Sequence, residues 1–146
     1  MTDLRSTYIE NREMVQPNHA NNLQSVHGGN VMKWMDEIGA MSAMRFAGNS
    51  CVTARINQVD FERPIRVGDV ALIESYVYQA GRTSVHVRLQ TYREDITSGE
   101  REKTTDSYFV YVAIDEDGNP TPVPELTVDS EEGKRLQDAA LDEKDG

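Results

Sequence analysis

VHGGNVMKWMDEIGA, residues 26 to 40, decides how this chain folds. The stretch reads as the front of a helix that is apolar on nearly every side. Gly28 and Gly29 stand at its start, and two acids, Asp36 and Glu37, sit in its middle. The apolar character runs on to Ala47, and the glycine of GNS (48–50) stops the helix in the expected place. At about 100° per residue, Gly29, Met32, Ala40 and Ala43 all fall within about 40° of Asp36. That carboxylate shares its stripe with small and apolar side chains. Lys33 and Glu37 stand at i, i+4, where a surface pair belongs, so Glu37 has an ordinary explanation and Asp36 does not. A carboxylate on an apolar stripe is costly unless it is paired, hydrogen-bonded or hydrated, and such groups recur where a site needs them.

The start of the helix adds a second element. Gly28 and Gly29 carry no side chains to fend off a ligand, and the free N–H groups of a first helical turn point outward. With the helix dipole they suit an oxyanion or a polarised carbonyl. Gly28 and Asp36 are about 12 Å apart along the helix axis. A substrate beside the helix would present its carbonyl to the glycines and its reacting carbon, or an attacking water, to the acid.

Outward from the helix the chain is β-rich. STYIENREMV (6–15) alternates enough for an edge strand, and QPNHANNLQS (16–25) is a loop. After the helix come CVTARINQVDF, a turn around Pro64 and Gly68, VALIESYVYQ (70–79) and the tight connection AGR (80–82). TSVHVRLQTYRE (83–94) alternates cleanly, with Val85, Val87, Leu89 and Thr91 on one face. The polar loop DITSGERE then leads to TTDSYFVYVAID (104–115), closed by EDGNP. One buried helix followed by four strands on short turns, with no βαβ alternation, predicts an α+β antiparallel sheet with the helix on one face. A helix this apolar needs a sheet that curls around it, or a second subunit to cover it. The acidic tail, residues 127–146, is expected as a short charged helix or as disordered chain.

Composition narrows the function. The 146 residues hold 25 Asp and Glu against 15 Lys and Arg, a net charge of −10. Nucleic acid, which needs a basic face, is excluded as a partner. Only four of the cations are Lys and eleven are Arg, a balance that fits a protein of high salt. An ordinary acidic protein with an acidic tail fits it too. No stretch is apolar and long enough to span a membrane, and the polar N-terminus lacks a secretion signal. Cys51 stands alone, so no intrachain disulfide forms and a Cys-based metal site is not expected. These features place the chain in a reducing cytoplasm.

Several motifs together resemble a known family. NHANNLQSVHGGNVMKWMDEIGAMSAMR, VTARINQVDFERPIRVGD, AGRTSV and FVYVAIDEDGNPTPVP look like the acyl-coenzyme A hydrolase branch of the hotdog-fold thioesterases. The similarity runs in order from about residue 5 to 126, the expected domain. It implies a curved antiparallel sheet wrapped around one long helix, with dimers assembled three to a hexamer and active sites shared between two chains. By position Asp36 matches the family's catalytic acid, acting as base on water or as nucleophile. Asn21 matches an asparagine that reaches in from the partner subunit. The N–H of Gly28 or Gly29 would polarise the thioester carbonyl, and Thr53 stands where the branch carries a threonine near the acid. Gly81, Arg82, Thr83 and Ser84 resemble its coenzyme A contact, with Arg82 meeting a phosphate. Coenzyme A is then part of the substrate, and neither a separate cofactor nor a metal is required.

Two departures stand out. Gln24 replaces a glycine usual four residues before the glycine pair, and His27 stands where many relatives carry an aromatic. His27 is expected to orient the loop or to pack, and His19 and His86 to be loop and sheet-face residues. Two other functions compete. A hydroxyacyl-thioester dehydratase on the same fold would need an Asp with a His five residues on, and the chain has no such pair. A non-catalytic acyl-CoA-binding module would be expected to lack the acid or the asparagine, and both are present.

Overall fold

The computed structural model describes residues 1–145, with only the backbone of Lys144 and Asp145. In chain order the strands are β1 (Thr2–Asp3), β2 (Ile9–Met14), β3 (Ser50–Phe61), β4 (Val70–Ala80), β5 (Ser84–Glu94), β6 (Arg101–Ile114) and β7 (Leu126–Thr127). The helices are α1 (Gly28–Ala47) and α2 (Glu131–Asp145). Strands β2 to β6 form one antiparallel sheet in the order β2-β4-β5-β6-β3, and β1 pairs with β7 in parallel. Helix α1 touches all five strands of the sheet, so the sheet wraps around it as the hotdog resemblance implies.

The helix ends where its sequence says. Asn30 and Val31 make the first helical bonds to His27 O, and Gly48 at φ 72° closes the last turn through its N–H to Met44 O. Val31, Trp34, Met35, Ile38, Ala43 and Phe46 bury against Val77, Val85, Val87, Leu89 and Phe109 of the inner sheet face. Ser42 is buried too, and its hydroxyl meets Thr7 O at 2.7 Å and Ser75 Oγ at 2.6 Å. The opposite flank of α1 stays open, with Met41 47% and Met44 39% exposed.

Strand β3 lies at an open edge beside this flank. Val52, Ile56 and Phe61 are all exposed, and the pairing with β6 slips after Thr53 and again after Asn57. The first slip lets both Thr53, opposite Tyr111, and Ile56, opposite Phe109, face the helix.

The outer sheet face is covered as well. Leu136, Ala140 and Leu141 of α2 pack with Leu4 onto Tyr76, Tyr78 and Tyr108. Strand β4 is therefore buried on both faces. Strand β6 begins at Arg101, earlier than the sequence pattern suggests, because Arg101, Glu102 and Lys103 extend the ladder opposite Glu94, Arg93 and Tyr92. The 6–15 stretch forms a shorter edge strand, since Leu4–Thr7 turn in a 3-10 helix first. No helix among the described residues is long and apolar enough to cross a membrane.

Candidate active site

Asp36 lies in mid-helix, half-buried, on the side of α1 that faces β3 and β6. Thr53 donates its hydroxyl to Asp36 Oδ1 at 2.6 Å. The Tyr111 hydroxyl lies 3.0 Å from the same Oδ1 and 3.0 Å from the main-chain O of Asp36. Burial first, and then the neighbouring Asp36 charge, push the Tyr111 hydroxyl well above the ordinary tyrosine range, so it stays a donor. Among the described residues Asp36 makes no ion pair, and its Oδ2 accepts no hydrogen bond. One oxygen is held by two neutral hydroxyls and the other is left over.

The glycine pair opens the helix at the far end of β3 from Thr53. The Gly28 and Gly29 N–H groups precede the first helical bonds, and His27 supplies no side-chain cap. A Cβ on Gly28 would come within 3.2 Å of the Phe61 ring, whereas one on Gly29 would meet nothing within 4 Å. A cleft of about 370 Å³ adjoins this end, lined by Val26, Gly28, Val31, Phe61 and Ile65 among others.

Asn21 is spent partly on its own loop. Its Oδ1 accepts from Leu23 N at 2.8 Å and Ser25 N at 3.2 Å, which leaves the amide nitrogen as the group it can present. Gln24 in the same loop sits at φ 62°, a left-handed backbone that suits glycine far better. The departure noted in the sequence thus has a structural cost. His19 takes the Gln16 N–H on Nδ1 and packs edge-on to Trp34, so it is a loop residue.

Gly81 to Ser84 form the β4–β5 turn, closed by Gly81 N to Ser84 O at 2.9 Å. A Cβ on Gly81 would fall 2.6 Å from Ser84 Oγ, so a larger residue there would turn that hydroxyl away. Arg82 is exposed, Thr83 O accepts from Ala113 N, and Ser84 Oγ lies 3.3 Å from His86 Nε2. Ser84 pairs with Val112, next to Tyr111, so the turn sits at the Asp36 end of the sheet. Within one chain, then, Thr53 meets Asp36 and the turn lies at their end, while Asn21 and the glycines do not reach the acid. Tyr111 was not legible as a site residue in its β-rich run. Gly39, one turn after Asp36, is the signal that could have found it, because a Cβ there would lie 2.5 Å from the Tyr111 hydroxyl.

Cys51 faces the core beside this site, and burial pushes its thiol up to about 11, away from nucleophilic use. No group of three or more His, Cys, Asp or Glu among the described residues is placed to hold a metal ion.

A profile of the thioesterase superfamily matches residues 23–100, and the chain belongs to that superfamily. It is 36% identical over 127 residues to YkhA of Bacillus subtilis, named as an uncharacterized acyl-CoA thioester hydrolase, covering 87% of this chain and 74% of that one. Among solved structures, an acyl-CoA hydrolase from Staphylococcus aureus in complex with butyryl coenzyme A, coenzyme A and coenzyme A disulfide is similar at a TM-score of 0.89 and 30% identity, covering 97% of this chain and 86% of that one. An apo-hexameric acyl-CoA thioesterase matches with a TM-score of 0.88 at 36% identity, covering 99% and 94%. The Staphylococcus aureus enzyme has also been solved with an asparagine, an aspartate or a threonine replaced by alanine. Those three residues are spaced along that chain as Asn21, Asp36 and Thr53 are along this one.

Proposed function

We propose that this protein hydrolyses acyl-coenzyme A to a free acid and coenzyme A, with Asp36 as the general base. The observation that carries the reading is the half-buried Asp36 carboxylate, held on Oδ1 by Thr53 at 2.6 Å with Oδ2 left over, in a chain of the thioesterase superfamily. Water attacks the thioester carbon as its proton passes to Oδ2. The carbonyl oxygen takes up negative charge opposite the N–H groups of Gly28 and Gly29. The C–S bond then breaks, and Asp36 returns its proton to the departing thiolate, so no metal or second cofactor is needed. The alternative, in which Asp36 itself attacks to give an acyl-enzyme anhydride, is marked by ¹⁸O in the Asp36 carboxylate after one turnover in ¹⁸O-water when water opens the anhydride at the Asp36 carbon; a base mechanism never places label there.

The site is shared between two copies in this reading. Asn21 and the glycines stand at the Phe61 end of β3, and Asp36 stands with Thr53 at the other. A second copy pairing its β3 antiparallel to this edge would bring its glycine end to the first copy's Asp36. The open β3 edge and the exposed Met41, Met44, Val52, Ile56 and Phe61 support that pairing. Three such dimers would make a hexamer, the state in which one structural neighbour was solved. Arg82, with Gly81, Thr83 and Ser84, would meet a phosphate of coenzyme A from the exposed turn. The lone, half-buried Cys51 agrees with a cytoplasmic enzyme.

The test is free-thiol release from acyl-CoAs of two to sixteen carbons, with wild type and Asp36→Ala side by side at low and at molar salt. At least one substrate turns over, and the variant loses about 10²-fold or more. Equal rates for the two proteins would remove Asp36 from the mechanism. Coenzyme A binding without thiol release would make the protein a binding module instead. A rate that rises with salt would tie the acid excess to a saline interior.

A further inference from the structure

Tyr111 is wholly buried on β6 and faces α1, with its ring stacked on Phe109 at a centroid distance of 6.3 Å. Phenylalanine would fill that volume equally well and bring no polar atom to satisfy. Among the described residues the hydroxyl reaches only Asp36 O and Asp36 Oδ1, each at 3.0 Å. Room for it comes from Gly39, whose Cβ position lies 2.5 Å from the hydroxyl oxygen. A glycine in mid-helix weakens the helix. A glycine inside α1, which also leaves room for Leu89, and a hydroxyl inside the core thus meet at one place, where the acceptors are the main-chain O and the carboxylate of Asp36.

We propose that Tyr111 is a positioning residue of the thioesterase reaction: with Thr53 it clamps Oδ1 of Asp36 and so selects Oδ2 as the oxygen that meets the reacting water. The inference rests on Asp36 being the catalytic carboxylate. Two donors on one oxygen fix the rotation of the carboxyl group about its last bond, which a single contact leaves soft. Both hydroxyls are neutral, so they orient the carboxylate without the full neutralisation an arginine would bring. The single O–H of Tyr111 is shared between the main-chain O and the Oδ1 of Asp36, so the helix backbone and the carboxylate are referred to the same ring.

The test is Tyr111→Phe, which keeps the ring, assayed beside Asp36→Ala on an acyl-CoA that wild type hydrolyses. The expected result is a fall in kcat of about 10- to 100-fold with KM little changed and the thermal midpoint unchanged or higher. The acidic limb of the pH–rate profile also moves to higher pH, because a donor to the charged carboxylate has been removed. Gly39→Ala, whose methyl displaces the hydroxyl, reproduces the loss in kcat. If Tyr111→Phe keeps kcat within twofold while Asp36→Ala is inactive, the positioning role is overturned and the role of Asp36 stands. A lower kcat with an unmoved acidic limb overturns it as well, since it marks a packing effect. If Asp36→Ala stays active, the reading beneath the proposal fails first.

Discussion

The two faces of the sheet each hold a charged group, one buried and one half-buried, and they treat it in opposite ways. On the outer face Arg88 is 3% exposed beneath α2. It pairs with Glu143, lies 3.6 Å from Asp106, and donates to the Tyr76 hydroxyl at 3.1 Å, while Lys103 holds Asp106 at 2.9 Å. Positive and negative charges balance there, and the cluster fastens the C-terminal helix to the sheet. On the inner face Asp36 meets no cation among the described residues, only the hydroxyls of Thr53 and Tyr111, and keeps one oxygen unengaged. The outer cluster neutralises its buried cation and serves the fold, whereas in the proposed reading the inner carboxylate is oriented by neutral donors for use in the reaction. The contrast separates them better than burial does, because the structural group is the more deeply buried of the two.

Each of the two charges can be removed by a single substitution. Arg88→Met leaves Asp106 and Glu143 without their central partner. It should destabilise the fold by about 3–5 kcal/mol in denaturant melts, with activity per folded molecule unchanged. Asp36→Ala should do the reverse, removing about 10²-fold or more of the rate while stability changes by less than about 1 kcal/mol. A destabilisation of Asp36→Ala as large as that of Arg88→Met would make the two charges equivalent and the distinction empty.

A third charge sharpens the rule. Hydrogen bonds from Arg12 at 2.6 Å and from Arg101 at 3.0 Å hold the Glu94 carboxyl below its ordinary value of 4.5, against the opposing effect of burial. A depressed folded value means that this contribution is present above pH 4.5 and is lost as the pH falls through the folded value. Arg12→Met should therefore be less stable than wild type at neutral pH, with the gap closing in acid, as melts across a pH series would record. The smallest effect belongs to the Asn21 loop. Gln24→Gly should relieve the left-handed strain and raise stability by about 0.5–1 kcal/mol, read as a shift in the denaturant midpoint.

Much of the fold was written locally, and the parts that were not depend on contacts distant in sequence. The bounds of α1 follow from Gly28 and Gly48, and the inner face of β5 from the alternation of Val85, Val87 and Leu89. Helix α2 was harder, because its sequence is dominated by charge. Its docking depends on Leu136, Ala140 and Leu141 meeting Tyr76, Tyr78 and Tyr108, which lie far away in the chain. Those tyrosines on the outer face were the readable hint that something must cover it. At the site, Asp36 was visible as an acid on the wrong stripe, and Thr53 by resemblance. Tyr111 was hidden because a tyrosine among β-branched neighbours looks like any strand residue. Its meaning depends on the register that sets it opposite Thr53 and on the space left by Gly39.

In the proposed assembly one chain carries half of each active site, Asp36 at one end of β3 and Asn21 at the other. Its most direct test mixes Asn21→Ala and Asp36→Ala chains, each nearly inactive alone, by co-expression with two tags and purification through both. Mixed dimers of a two-fold assembly hold one site with both side chains intact and one with neither. The prediction is recovery of thiol release to about half the wild-type rate per mixed dimer. A doubly purified species whose dimers are shown by cross-linking to be mixed, yet no more active than either variant, would mean that Asn21 and Asp36 do not meet across subunits, and the shared site would be wrong.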